Sequence, residues 1–199
     1  MMMARLAGVA LILGALAAPL PAQYGGSDNE AFIKAVRDED IGKAIELINA
    51  RGSTVTNYRN YGGDAALHIV ARRRDGTWLS YLISKGADPN VGDKNGDTAL
   101  IIVSRIGYEE GARTLLTYGA KVDHPNRLGE TPLIVAVQQR QPRIARLLLE
   151  AGANPDKADH AAGYSARDYA KRDTRSTDLL RLIETVKPVQ KASVGPTIK

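Results

Sequence analysis

Apolar positions along this chain fall into short stripes separated by glycine-rich turns, and the stripes recur. Leu67, Leu100 and Leu133 stand 33 residues apart, each within an apolar run such as Ala99-Leu100-Ile101-Ile102-Val103. A second stripe follows each of these: Leu79, Leu82 and Ile83, then Ala112, Leu115 and Leu116, then Ala145, Leu148 and Leu149. Spacing of i, i+3, i+4 puts each trio on one face of a helix. Gly63, Gly96 and Gly129 head the units, and Gly86-Ala87, Gly119-Ala120 and Gly152-Ala153 close them. Three landmarks holding one period predict a solenoid, in which each unit packs on its neighbours and function lies on an extended surface.

Local signals agree with the stripes. Thr98 precedes the third-unit helix and can accept a free backbone N–H there. Pro132 falls at the first helical position, where its missing N–H costs nothing. Gly107 marks the turn between two helices. Gly86, Gly119 and Gly152 suit left-handed C-terminal caps. Asp88-Pro89-Asn90, Lys121-Val122-Asp123 and Asn154-Pro155-Asp156 then lead into extended links.

The ends diverge. A first helix is expected to start near Asp28 as its N-cap, with Phe32, Ala35 and Val36 on one face. A second carries Ile41, Ala44, Leu47 and Ile48, with Asp40 placed before it. Residues 51–60 read as a loop, with Tyr58 in it and Tyr61 beyond. A fifth unit opens one residue late at Gly163 and ends on a helix with Leu179, Leu180, Leu182 and Ile183. Arg167 stands there in place of the repeated leucine, as expected of a terminal cap facing water.

Each unit is thus turn, helix, tight turn, helix, extended link. The segments Gly129-Glu130-Thr131-Pro132-Leu133, Gly96-Asp97-Thr98-Ala99-Leu100 and Ala65-Ala66-Leu67-His68-Ile69-Val70-Ala71, with the closing Gly86-Ala87-Asp88-Pro89-Asn90 and Gly152-Ala153-Asn154-Pro155-Asp156, resemble the ankyrin repeat. The resemblance implies an all-α ankyrin-repeat solenoid of about five helix-turn-helix units with divergent terminal caps. Expected bounds are 27–60, 61–94, 95–127, 128–160 and 161–187 within a domain at 23–187. It also implies that the histidine after the leucine links neighbouring repeats by hydrogen bonds. Only His68 keeps it; Ile101, Ile134 and Asp168 take its place elsewhere.

Arg5, the apolar run from Leu6 to Ala18 and the ending Pro19-Leu20-Pro21-Ala22 have the layout of a secretory signal peptide at 1–22, cleaved after Ala22. The run falls short of the roughly 20 apolar residues that span a bilayer, so no stable span is expected after cleavage; an uncleaved anchor is the alternative. With the repeats, this layout resembles the small exported ankyrin proteins of Gram-negative bacteria and points to a periplasmic or secreted location. Cysteine is absent, which excludes disulfides, thiol catalysis and cysteine-ligated zinc. Without Arg5 the chain carries 26 basic against 22 acidic residues, too mild an excess to argue for nucleic acid. Residues 188–199 read as a flexible tail.

No catalytic constellation, metal site or cofactor motif is found. His68, His124 and His160 lie in different units; the first reads as structural and the others as exposed link residues. Asp97, Asp123 and Asp156 read as turn or capping acids, and Trp78 as packing. No glycine-rich phosphate loop follows a strand.

What remains is the surface. The ankyrin resemblance implies a concave face formed by the link tips and the exposed side of each first helix, and matching stations unit by unit then puts Tyr61, Asp64, Arg72 and Arg73 there, with Lys94, Asp97, Arg105 and Ile106 beside them. Arg127, Leu128, Glu130, Gln138 and Gln139 follow, then Tyr164 and Arg172. Twelve of these, Asp64, Asp97 and Glu130 being set aside, are the expected partner-binding residues. Arginine and tyrosine are enriched at binding hot spots, and arginine pairs bidentately with carboxylates. The expected function is a non-catalytic interaction module, as adaptor, inhibitor or protective partner, binding an acidic protein surface as a monomer. A binder of envelope surfaces or anionic polymers is the alternative, and a merely solvated basic face is the plain one.

Overall fold

A computed structural model describes residues 24–50, 52–175 and 177–187. The expected leader at 1–22 and the expected tail at 188–199 lie outside the described residues. Among the described residues ten α-helices form five pairs: α1 (Tyr24–Arg37) with α2 (Ile41–Asn49), α3 (Ala66–Arg73) with α4 (Gly76–Ser84), α5 (Ala99–Ile106) with α6 (Glu109–Thr117), α7 (Pro132–Gln138) with α8 (Pro142–Glu150), and α9 (Ala166–Arg172) with α10 (Thr177–Thr185). The first helices α1, α3, α5, α7 and α9 stack in chain order, and so do the second helices α4, α6, α8 and α10. Helix α2 packs on α1 and on a 3-10 turn at Val55–Asn57 whose Val55 is buried, so the stretch read as a loop contributes to the core.

The predicted stripes build that core. Leu67, Leu100 and Leu133 are buried, as are Leu79, Leu82, Ala112, Leu115, Ala145, Leu148 and Leu149. Ile101 and Ile134 are fully buried, so apolar packing replaces the missing histidines. Side-chain caps start several helices: Asp40 accepts from Lys43 N, Asp75 from Trp78 N, Thr98 from Ile101 N, Thr131 from Ile134 N and Ser165 from Asp168 N. Helix α3 begins after Ala65, which has no acceptor. There His68 Nδ1 accepts the Ala65 N–H at 2.9 Å while Nε2 meets Val91 O at 2.9 Å, joining the helix to the following link.

One expectation is corrected. Helix α1 starts at Tyr24, so Asp28 is an interior residue and not the N-cap. Two glycines at about 1 kcal/mol each are a weak barrier beside the burial of Phe32, Ile33 and Val36 on α3 and α2. Gly107 takes the left-handed turn of the third pair as expected, and in the first, second and fourth pairs a side-chain-bearing residue takes the same angle. Glu39, Arg74 and Arg140 adopt φ of 62°, 60° and 52°. Their side chains reach the same corner of the next unit: Arg74 donates to Ile106 O, Arg140 Nε to Asp173 Oδ2 at 2.6 Å, and Glu39 lies 3.5 Å from Arg73. These clamps offset the backbone strain of about 1–2 kcal/mol that a side chain brings to this conformation.

Candidate interaction surface

Between units the chain makes narrow fingers, each closed by one Asn or Asp. Asn60 Oδ1 accepts from Asp64 N. Asp93 Oδ1 accepts from Asn95 N at 2.7 Å and Asp97 N at 3.0 Å. Asn126 Oδ1 accepts from Leu128 N and Glu130 N, both at 3.0 Å, and Asp159 Oδ1 from Ala162 N and Gly163 N. A short side-chain acceptor held against its own loop fixes the turn. Burial pushes the Asp159 carboxyl up, but the Tyr169 hydroxyl and three backbone N–H groups outweigh it, leaving the pKa below 3.8.

The fingers stack through their glycines. Gly63, Gly96 and Gly129 have φ of 84°, 79° and 80°, and each lies against the finger of the next unit, 31 residues on. A Cβ on Gly63 would meet Lys94 N at 2.6 Å; on Gly96, Arg127 N at 2.9 Å; on Gly129, His160 N at 2.6 Å. Backbone bonds lock two of these contacts, Arg127 N to Asn95 O at 3.0 Å and His160 N to Leu128 O at 2.7 Å. The row of tips therefore carries Tyr61, Lys94, Arg127 and His160 at one station, all exposed, with Leu128 beside Arg127 at 54% exposure. Tyr61 is fully exposed. Neither Lys94 nor Arg127 has an ion-pair partner among the described residues.

The inner face of the first helices is arranged differently. Arg72 donates to Asp64 at 2.7 Å and to buried Asp93 at 3.0 Å. Arg105 donates to buried Asp97 at 2.6 Å, a bond that raises its pKa further. Asp97 also accepts from Asn126 Nδ2 at 2.9 Å, which in turn reaches Glu130 at 2.8 Å. Buried carboxylates are tolerated only when paired and hydrogen-bonded. These arginines are thus framework, and the link acid Asp97 is a buried network member rather than a plain cap.

The other sequence-derived residues divide the same way. Arg73 turns back to the first unit, donating to Val36 O at 2.7 Å and Asp75 at 3.3 Å. Ile106 is half-buried, with its carbonyl taken by Arg74. Gln138 is half-buried and Gln139 exposed at the end of α7. In the last unit Arg172 lies 4.5 Å over the Tyr164 ring, which meets Tyr169 edge-on at 5.6 Å. The structure therefore gathers Tyr61, Lys94, Arg127 and Leu128 along the tips and Gln138 with Tyr164 and Arg172 near the last unit. It does not unite all twelve into one basic patch.

The spacing of Asn60, Asp93, Asn126 and Asp159 also holds the 33-residue period, but their closing role carries no signal in the sequence, and His160, expected only as an exposed link residue, falls at the same station as Tyr61, Lys94 and Arg127. His160 is exposed as expected, whereas His124 is half-buried with Nδ1 at 3.2 Å from Pro125 O. Among the described residues no group of three or more His, Asp or Glu could hold a metal ion, and no helix is long and apolar enough to cross a membrane. Residues 67–159 match the family model described as ankyrin repeats (3 copies), covering most of the second to fourth units. No curated protein matches the chain.

Proposed function

We propose that this all-α ankyrin-repeat solenoid is a non-catalytic protein-interaction module of the bacterial periplasm, docking its partner on the fingertip row. Ankyrin repeats are general protein-interaction units. One observation carries the rest: the tips hold exposed Tyr61, Lys94, Arg127, Leu128 and His160, which no framework bond occupies with a carboxylate, whereas Arg72 and Arg105 of the helix face are already neutralised. Exposed aromatic and basic side chains on rigid elements suit a partner with an acidic surface. Residues 1–22 supply the argument for export.

The test uses the exported chain as bait in periplasmic extract, beside a Lys94→Glu/Arg127→Glu variant. The reading expects a partner that the wild type captures and the variant loses, with unchanged urea unfolding, and a mature N-terminus at Gln23. Capture that survives the charge reversal, or a chain found only in the cytoplasm, overturns it. A salt series adds a second arm. Binding to anionic polymer falls steeply with salt, whereas a packed protein interface weakens less.

A further inference from the structure

The junction between α7 and α9 differs in charge from those before it. Eight residues after the finger acid, Arg72 and Arg105 each find a carboxylate, Asp64 and Asp97. At the same station of the last unit Arg172 finds Tyr164 instead. An aromatic face holds a guanidinium plane without neutralising it and leaves its N–H edges open. Two more guanidiniums stand close by, both turned to Asp173. Arg140 Nε bonds Asp173 Oδ2 at 2.6 Å, leaving its terminal nitrogens without a partner among the described residues. Arg175 Nε lies 3.6 Å from Oδ1, beyond hydrogen-bonding distance.

Arg140, Arg172, Asp173 and Arg175 line an open cleft of about 360 Å³. Asp173 is the one carboxylate on its wall, and its bond from Arg140 holds it below the usual carboxylate range. The Tyr169 hydroxyl is committed to Asp159 at 2.6 Å and does not compete. The C-terminal ends of α7 and α9 lie here as well, and the negative end of each helix dipole favours cations without cancelling the charge. Three guanidiniums against one carboxylate leave a surplus of two positive charges, presented as N–H forks. Gln138 and Thr174 add uncharged polar groups, while Val137 and the Tyr169 ring add apolar wall.

We propose that this cleft binds the carboxylates of an acidic peptide segment, with Arg172 and Arg175 as the recognising groups and Arg140–Asp173 as the brace that positions them. The fork of each guanidinium fits a carboxylate bidentately. The amide, hydroxyl and apolar wall suit a peptide rather than a bare ion. The inference rests on the interaction reading above and gives the partner's chemistry at the C-terminal end of the surface.

The test titrates the exported chain with a tetraglutamate peptide blocked at both ends, following the arginine side-chain Nε–H resonances by NMR. Tetraglutamine and inorganic phosphate are run at matched concentration. The expected result is a shift of the Arg172 and Arg175 resonances by tetraglutamate alone. Affinity should fall about tenfold or more in Arg172→Gln/Arg175→Gln, which leaves the Arg140–Asp173 brace intact. Lys94→Gln/Arg127→Gln should change it by less than about twofold. Absence of those shifts, or unchanged affinity in the cleft variant, overturns the proposal. Phosphate binding as well as the peptide reassigns the cleft to small oxyanions and also overturns it. An equal loss in the fingertip variant shows diffuse charge attraction, with the same consequence. Loss of partner capture on fingertip reversal is a separate readout, so either idea fails without the other.

Discussion

Gly129→Ala tests whether the repeated finger glycine is needed for its backbone angle or for the room it leaves. Gly129 sits at φ +80° with His160 N at 2.6 Å from the place a Cβ would take and the imidazole at 2.7 Å. That nitrogen is held by its 2.7 Å bond to Leu128 O, so the neighbour cannot retreat without breaking the stack. Gly119 is the matched control, at φ +88° with no atom within 4 Å. For both, an alanine side chain brings about 1–2 kcal/mol of left-handed strain, and loss of freedom in the unfolded chain returns about 0.4–1 kcal/mol. Gly119→Ala should therefore cost about 1 kcal/mol. Gly129→Ala adds an overpacking term of about 1–3 kcal/mol and should cost about 2–4 kcal/mol in all. Urea unfolding followed by circular dichroism measures both, with the slope required to stay constant. Equal losses at the two positions would refute the close-approach argument and leave only the backbone angle.

Three further outcomes follow from the same contacts. His68 is buried and its pKa is lowered, chiefly by burial, against the opposing bond to Val91, so the unfolded chain takes up the proton first. Stability should be complete above the unfolded value of 6.5 and decline as pH falls below it, and His68→Gln should flatten that decline in a pH series of urea midpoints. Asp93→Ala removes the acceptor for two backbone N–H groups and the partner of Arg72, and should lower the unfolding free energy by about 2–3 kcal/mol; a loss below about 0.5 kcal/mol would deny the finger its closing role. Arg105→Ala leaves buried Asp97 with Asn126 alone and should cost about 1–2 kcal/mol after allowing for solvent around the guanidinium, whereas Lys94→Ala should stay within about 0.5 kcal/mol in the same assay.

The sequence disclosed whatever repeats by identity. Leu100, Gly129, Thr131 and the stripe of Leu148 could be located because the same residue type, or its close substitute, returns at a fixed step. The closing series escaped because it alternates Asn60, Asp93, Asn126 and Asp159: its period is intact, but the letter changes while the acceptor oxygen stays. Arg74 and Arg140 were hidden for a different reason. Nothing about arginine announces a left-handed angle, and the carbonyl or carboxylate that rewards it lies in the next unit. Arg72 and Arg105 look like free surface charge in one dimension, because Asp93 and Asp97 approach them only when fingers and helices stack. Likewise the surplus at Arg172 follows from a tyrosine standing where earlier units have an acid.

The glycine contacts run in one direction along the chain. Gly63 is filled by Lys94, Gly96 by Arg127 and Gly129 by His160, always by the unit that follows, and around Gly163 nothing among the described residues lies within 4 Å. A growing chain delivers its units in that same order. Each finger thus reaches its final shape only after the next 31 residues have been made, and the end of the array is the last to set. A unit whose successor has not yet emerged is therefore held on one side only, and its finger stays unlocked until the next unit arrives.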